Sequence, residues 1–180
     1  MSKELDHNNK NDFVVINLFS QEECLKIIEY CQKNYKFEPA TVGEDVIDDE
    51  ARQSSLIWLK NSDKKITWFR DKIRDSIEYV NDGKYRFDLD FGQDIQFTRY
   101  IPNEFYNWHV DAGHSSPNNK RKLSTTIQLS DPKKYRGGEL VMLIGGEVYH
   151  NIQLEQGQAV IFPSYIPHMV TPVEVSPGSG

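Results

Sequence analysis

The residues best suited to chemistry are His109 and Asp111, in the stretch Trp108-His109-Val110-Asp111, and His168 far downstream. In an extended strand, residues two apart project from the same face. His109 and Asp111 therefore point together, and Val110 turns away. Two imidazoles and one carboxylate make the facial triad that holds non-haem Fe(II) and leaves positions open for substrates and dioxygen. A zinc hydrolase also uses three ligands and an open position. The helical His-x-x-x-His pair and nearby general base that usually go with one are not found here.

The other histidines carry less. His7 lies in a polar N-terminal stretch. His150 shares a strand face with Val148, Ile152 and Leu154, the setting of a satisfied core or edge histidine. His114 sits in the polar loop from Gly113 to Asn119, where exposure is the ordinary outcome and contact with a substrate the functional alternative.

The scaffold that must position these groups has bounds set by composition. A chain of 180 residues with 38% hydrophobic and 27% charged residues fits one soluble globular domain with a real core. Its net charge of −6 argues against nucleic acid as a main partner, since phosphate binding wants a basic surface. Lys120-Arg121-Lys122 is a local exception, either a basic patch or a solvated strand edge. No apolar run approaches the ~20 residues of a membrane span. Met1 to Asp12 is polar, lacks the apolar stretch of a secretory signal, and reads as a disordered leader before a single domain over residues 13–180. Cys24 and Cys31 fall on one predicted helix, about 10.5 Å apart, too far for a disulfide with its ~7 Å limit. Buried free thiols suit a reducing, cytoplasmic setting.

Phe13 to Ile16 is a short strand. Ser20-Gln21-Glu22-Glu23 matches a capping box, and Cys24, Ile27, Ile28 and Cys31 recur with helical period, so a helix spans residues 21 to about 34. An acidic loop over 38–55 leads into Ser55 to Leu59. A second helix starts near Ser62 or Asp63 and carries Ile66, Phe69, Ile73, Ile77 and Val80 on one face. Trp68 beside that face is expected in the core. Asn81-Asp82-Gly83 supplies the stop. From Tyr85 the period becomes two: Tyr85, Phe87, Leu89 and Phe91 alternate with charged residues, then Ile95, Phe97 and Arg99 continue. Leu123, Thr125, Ile127 and Leu129 share a strand face. Glu139 to Ile144 and Val148 to Leu154 flank Gly145-Gly146, a hairpin signal. Ala159 to Phe162 runs to Pro163. Helices followed by many antiparallel strands predict an α+β, mainly β chain, with N-terminal helices packed on a sandwich or jelly roll.

At this point the sequence resembles a family. The segment Tyr100-Ile101-Pro102-Asn103-Glu104-Phe105-Tyr106-Asn107-Trp108-His109-Val110-Asp111 is similar to the metal-binding strand of the Fe(II)/2-oxoglutarate-dependent dioxygenases, in their prolyl 4-hydroxylase-like branch. Leu123 to Ser130 with Tyr135-Arg136-Gly137-Gly138-Glu139-Leu140 resembles the next strands, and Phe162 to Val173 the distal-histidine segment. The resemblance implies a double-stranded β-helix with Fe(II) held by His109, Asp111 and His168, which together form the catalytic and metal-binding set. It implies 2-oxoglutarate and dioxygen as cosubstrates, and oxidative decarboxylation coupled to hydroxylation of an unactivated C–H. The implied substrate is an amino-acid side chain, prolyl in a peptide or protein, with a small molecule as the near alternative.

Tyr100 and Tyr106 match positions near the cosubstrate. The family anchors the far carboxylate of 2-oxoglutarate with Arg or Lys about ten residues after the distal histidine, whereas no Lys or Arg follows Arg136 in this sequence. Either the last core strand is incomplete here or another cation substitutes, with Arg99, Arg121 and Lys122 as candidates. A jelly roll that holds a metal without turnover is the non-catalytic alternative.

Overall fold

A computed structural model describes residues 12–42, 47–113, 120–149 and 152–174. In chain order its main elements are β1 (Val14–Asn17), α1 (Gln21–Asn34), β2 (Glu38–Pro39), β3 (Arg52–Gln53), β4 (Ser55–Leu59), α2 (Thr67–Val80), β5 (Ile95–Arg99), β6 (Phe105–His109), β7 (Leu123–Ile127), β8 (Leu140–Ile144), β9 (Glu147–Tyr149), β10 (Gln158–Pro163) and β11 (His168–Val170). The strands form three sheets, ordered β1-β10-β7, β3-β6-β11-β8-β9 and β2-β4-β5, and their pairings are antiparallel. The chain is therefore α+β and mainly β.

Helix α1 begins where its cap dictates. The Ser20 hydroxyl accepts from the Glu23 amide at 3.1 Å, and the Glu23 carboxylate accepts from the Ser20 amide at 2.7 Å. Two orphan donors are satisfied at once. Its apolar stripe, Cys24, Ile27 and Cys31, packs with Phe69 of α2, Ile57 and Leu59 of β4, Phe97 of β5 and Ala159 of β10. Both cysteines are buried free thiols. Helix α2 is preceded by a 3₁₀ turn over Lys64–Ile66, capped by the Asp63 side chain.

Strand β10 is the middle layer. Ala159 faces the helices, while Val160 and Phe162 face the five-stranded sheet and meet Leu140 and Met142 of β8 together with Leu154 and Ile166. A strand covered on both sides reads as a continuous apolar run, which is why Ala159 to Phe162 lacks alternation. Behind it, Gly157 sits at φ +88° with its carbonyl accepting from the Leu18 and Phe19 amides, both at 2.9 Å. The Gly145-Gly146 hairpin forms as expected, with both residues at positive φ.

Several expectations are corrected. Residues 85–91 alternate but form no strand: a π-helical turn covers Asn81–Tyr85, and Arg86 follows in a left-handed conformation at φ 56°. The Asn81 side chain then bonds both the amide and the carbonyl of Phe87, each at 2.9 Å, and so does the work of a neighbouring strand. Residues 38–55 are not all loop, since β2 and β3 lie within them. The returning strand after Gly146 is short: β9 ends at Tyr149 and residues 152–154 are irregular. Trp68 is not core but 43% exposed, resting edge-on against Phe69. The leader expected over residues 1–12 falls outside the described residues except for Asp12, as do His7, His114 and His150.

Candidate metal centre

His109 is the last residue of β6 and His168 the first of β11, and the antiparallel register sets them directly opposite one another. Their rings lie side by side with centroids 4.2 Å apart. Asp111 follows just beyond β6. The amides of Asp111 and Ala112 both donate to the Ser164 carbonyl at 3.0 Å, which ties this stretch to the turn leading into β11. The carboxylate thereby reaches both histidines: Oδ1 is 3.7 Å from His109 Nε2 and Oδ2 is 3.7 Å from His168 Nε2. One donor atom from each residue falls within 4.8 Å of the others.

Both rings are oriented from behind. His109 Nδ1 lies 2.8 Å from the Asn107 carbonyl, and His168 Nδ1 lies 2.9 Å from the Ile166 carbonyl. A carbonyl only accepts, so each Nδ1 carries a proton and each Nε2 is turned toward the centre. Burial is the chief cause that lowers the His109 pKa to about 4, with the neighbouring His168 adding to it. At neutral pH its imidazole is uncharged.

The carboxylate is held as well. Ser124 of β7 donates to Asp111 Oδ2 at 2.5 Å, and the Ser124 and Ser164 hydroxyls are 2.9 Å apart. Because the single Ser124 proton serves Asp111, Ser164 is the donor to Ser124. Arg121 Nη1 approaches Oδ1 at 3.6 Å while its Nε donates to Gln93. Of the Lys120-Arg121-Lys122 run, Arg121 thus faces the centre. Two imidazole Nε2 atoms and one hydrogen-bonded carboxylate, with no thiolate near, are the donor set that suits Fe(II) with positions left open. The residues fit that ion.

Tyr106 stacks on His109, and the Arg52 guanidinium lies over the other partner of that stack, 4.4 Å from the Tyr106 centroid. Tyr100 and Tyr106 are both buried enough to raise their phenol pKa values, against which the Arg52 charge acts. The two tyrosines singled out in the sequence are therefore close to the centre or to its neighbour Arg52. Arg99 has other partners: its Nε donates to Ser55 at 3.2 Å and its guanidinium lies 4.0 Å from the Phe37 ring centre. Sequence reasoning missed Arg52, Ser124 and Ser164. Ser124 and Ser164 had a usable signal, their places in the Leu123 to Ser130 and Phe162 to Val173 segments.

Antiparallel sheets that carry an oriented His-Asp-His cluster make a candidate metal centre. Residues 95–178 match the 2OG-Fe(II) oxygenase superfamily. A PKHD-type hydroxylase of Synechococcus sp. is 45% identical over 76 residues, 42% of this chain and 34% of that protein. The PKHD-type hydroxylase YbiX of Escherichia coli is 45% identical over 83 residues, 43% of this chain and 36% of that protein. The chain thus spans about a third of the length of the curated relatives it matches.

Among solved structures, a Pseudomonas putida prolyl-4-hydroxylase superposes with a TM-score of 0.73 at 18% identity, covering 92% of this chain and 88% of that one. A Trichoplax adhaerens prolyl hydroxylase, in complex with a hypoxia inducible factor peptide fragment, gives 0.69 at 16% identity, covering 93% and 80%. The superfamily match takes in somewhat under half of the chain, and the likeness to the prolyl hydroxylases is one of fold.

Proposed function

We propose that this chain is an Fe(II)- and 2-oxoglutarate-dependent dioxygenase that hydroxylates an amino-acid side chain, prolyl in a peptide or protein. The observation that carries the reading is the oriented donor set: two imidazole Nε2 atoms and one carboxylate within 4.8 Å, with both Nδ1 protons committed to backbone carbonyls. The names of the relatives and the fold of the prolyl hydroxylases support the substrate class. With this goes the reading of residues 13–180 as one domain and of its facing sheets as a double-stranded β-helix, the inter-sheet core being Leu140, Met142, Val160 and Phe162. The buried free thiols support a reducing, cytoplasmic setting. Among the described residues no helix is long and apolar enough to cross a membrane.

In this reading His109, Asp111 and His168 hold Fe(II), which when bound supplies oxidative chemistry that no side chain here provides. The chain's own part is positional. The Asn107 and Ile166 carbonyls orient the imidazole rings, and the Ser124 hydroxyl holds the Asp111 carboxylate in place through Oδ2. Phe162, edge-on to the His168 ring at 4.9 Å, closes the inner wall against water.

The test is anaerobic calorimetry of 2-oxoglutarate with and without Fe(II), alongside His168→Ala, followed by succinate release in air. Iron-dependent binding and succinate formation, both lost in the variant, are expected. Tight iron uptake with no 2-oxoglutarate binding would replace the enzyme reading with that of a metal-holding module.

A further inference from the structure

Arg52 is the only Lys, Arg, Asp or Glu buried among the described residues, at 4% exposure. A guanidinium taken out of water ordinarily has a carboxylate beside it, because an unpaired buried charge is strongly unfavourable. Among the described residues, no carboxylate pairs with Arg52. Its contacts are neutral: Nε donates to the Ser54 hydroxyl at 2.8 Å, and the guanidinium plane covers Tyr106. Tyr106 in turn stacks on the candidate metal ligand His109 with ring centroids 3.5 Å apart. Arg52, Tyr100, Tyr106, His109, Asp111 and His168 all border the same extended cavity. The result is a desolvated cation, one aromatic ring away from the triad, with no carboxylate paired to it among the described residues.

We propose that Arg52 is a carboxylate-binding residue, receiving a carboxylate of a molecule seated at the His109-Asp111-His168 centre. The inference rests on the function proposed above. Arg52 comes from β3, well before the metal strand, and is brought in by pairing with Tyr106 across β3 and β6. Its planar fork matches a carboxylate in a way a lysine does not. Two molecules could supply that group. One is 2-oxoglutarate, through the carboxylate remote from its keto acid end. The other is the substrate, if the hydroxylated amino acid is free or C-terminal.

Anaerobic calorimetry on the whole chain with Fe(II) separates them. The first pair of probes is 2-oxoglutarate against 2-oxopentanoate, which lacks the far carboxylate. The second, with 2-oxoglutarate present, is L-proline against L-prolinamide. Wild type should prefer the carboxylate member of one pair by on the order of 10- to 100-fold, the range of a charge-assisted hydrogen bond. Arg52→Met should collapse that preference to about twofold or less, leave iron affinity unchanged, and melt no lower than wild type, since it replaces a buried charge that has no carboxylate partner among the described residues. Arg52→Lys should keep part of the preference.

The pair that responds identifies the source of the carboxylate. Unaltered preferences in both variants, or no preference in wild type, would overturn the assignment of Arg52 and leave the proposed function standing. An Arg52→Met chain that does not fold, with Arg52→Lys retaining the full wild-type preference, would equally overturn it. Wild type that takes up iron but shows no iron-dependent binding of 2-oxoglutarate would remove both.

Discussion

Tyr106 and His109 stack nearly parallel, with centroids 3.5 Å apart and planes 13° from one another, although three residues separate them on a single strand. Regular pleating would put them on opposite faces. The register explains the exception. His168 pairs with His109 and Val170 with Tyr106, so two steps along β11 match three along β6. The extra residue is a bulge, and bulges beside active sites re-aim side chains in this way. Tyr106 consequently backs the His109 ring. Tyr106→Phe should preserve the stack and bind Fe(II) within about twofold of wild type, whereas Tyr106→Ala should weaken it by about tenfold. Anaerobic iron titration measures both, and equal affinities would show that the stack orients nothing.

Ser124 and Ser164 act on Asp111 as a short chain of hydroxyls, at 2.9 Å and then 2.5 Å. Ser124→Ala frees Oδ2 and should lower iron affinity by about 10- to 100-fold. Ser124→Thr retains the hydroxyl and should recover most of it. If alanine and threonine behave alike, the hydroxyl has no role in setting the carboxylate.

Gly157 lies at φ +88°, and a Cβ there would collide with the Phe19 carbonyl. That carbonyl belongs to the segment entering α1, so relief would require shifting the helix against β10. Gly157→Ala should destabilise the fold by about 1–3 kcal/mol. Urea unfolding is the measurement, and an unchanged midpoint would mean the contact relaxes freely.

Phe162 is fully buried between the sheets and edge-on to His168. Truncation to alanine should cost about 3–5 kcal/mol through lost burial and a residual cavity. Because the same ring walls His168, iron affinity should fall too. Loss of stability with full iron affinity would separate the core from the centre.

Acid should weaken the fold through two carboxylates. Glu23 is held below its ordinary pKa chiefly by Lys72, and Asp94 chiefly by Lys60. On acidification the unfolded chain takes up protons before the folded one, so their contribution is present above the ordinary carboxylate range. It fades as pH falls through 4.5 and 3.8 towards the lower folded values. Both groups are largely solvated and the effect is small. Glu23→Gln and Asp94→Asn should each flatten the dependence of melting temperature on pH below about 5, and an unaltered slope would assign acid sensitivity elsewhere.

Residue type and spacing put His109 and Asp111 on one strand face as candidate ligands, and the family resemblance of the segments around His109 and His168 completed the candidate triad. Type and spacing were enough for α1, whose cap and stripe are local signals. The remaining features depend on pairing between distant segments. Arg52 lies on a two-residue strand with no periodicity to announce it, and only its alignment with Tyr106 brings it to the centre. Which face Tyr106 occupies was decided by a bulge that the sequence of β6 does not mark. The alternating residues 85–91 had every local feature of a strand except a partner, and the Asn81 side chain took that place. Periodicity determines which face of an element is apolar. Which element lies against that face, and in what register, is decided only when the whole core packs.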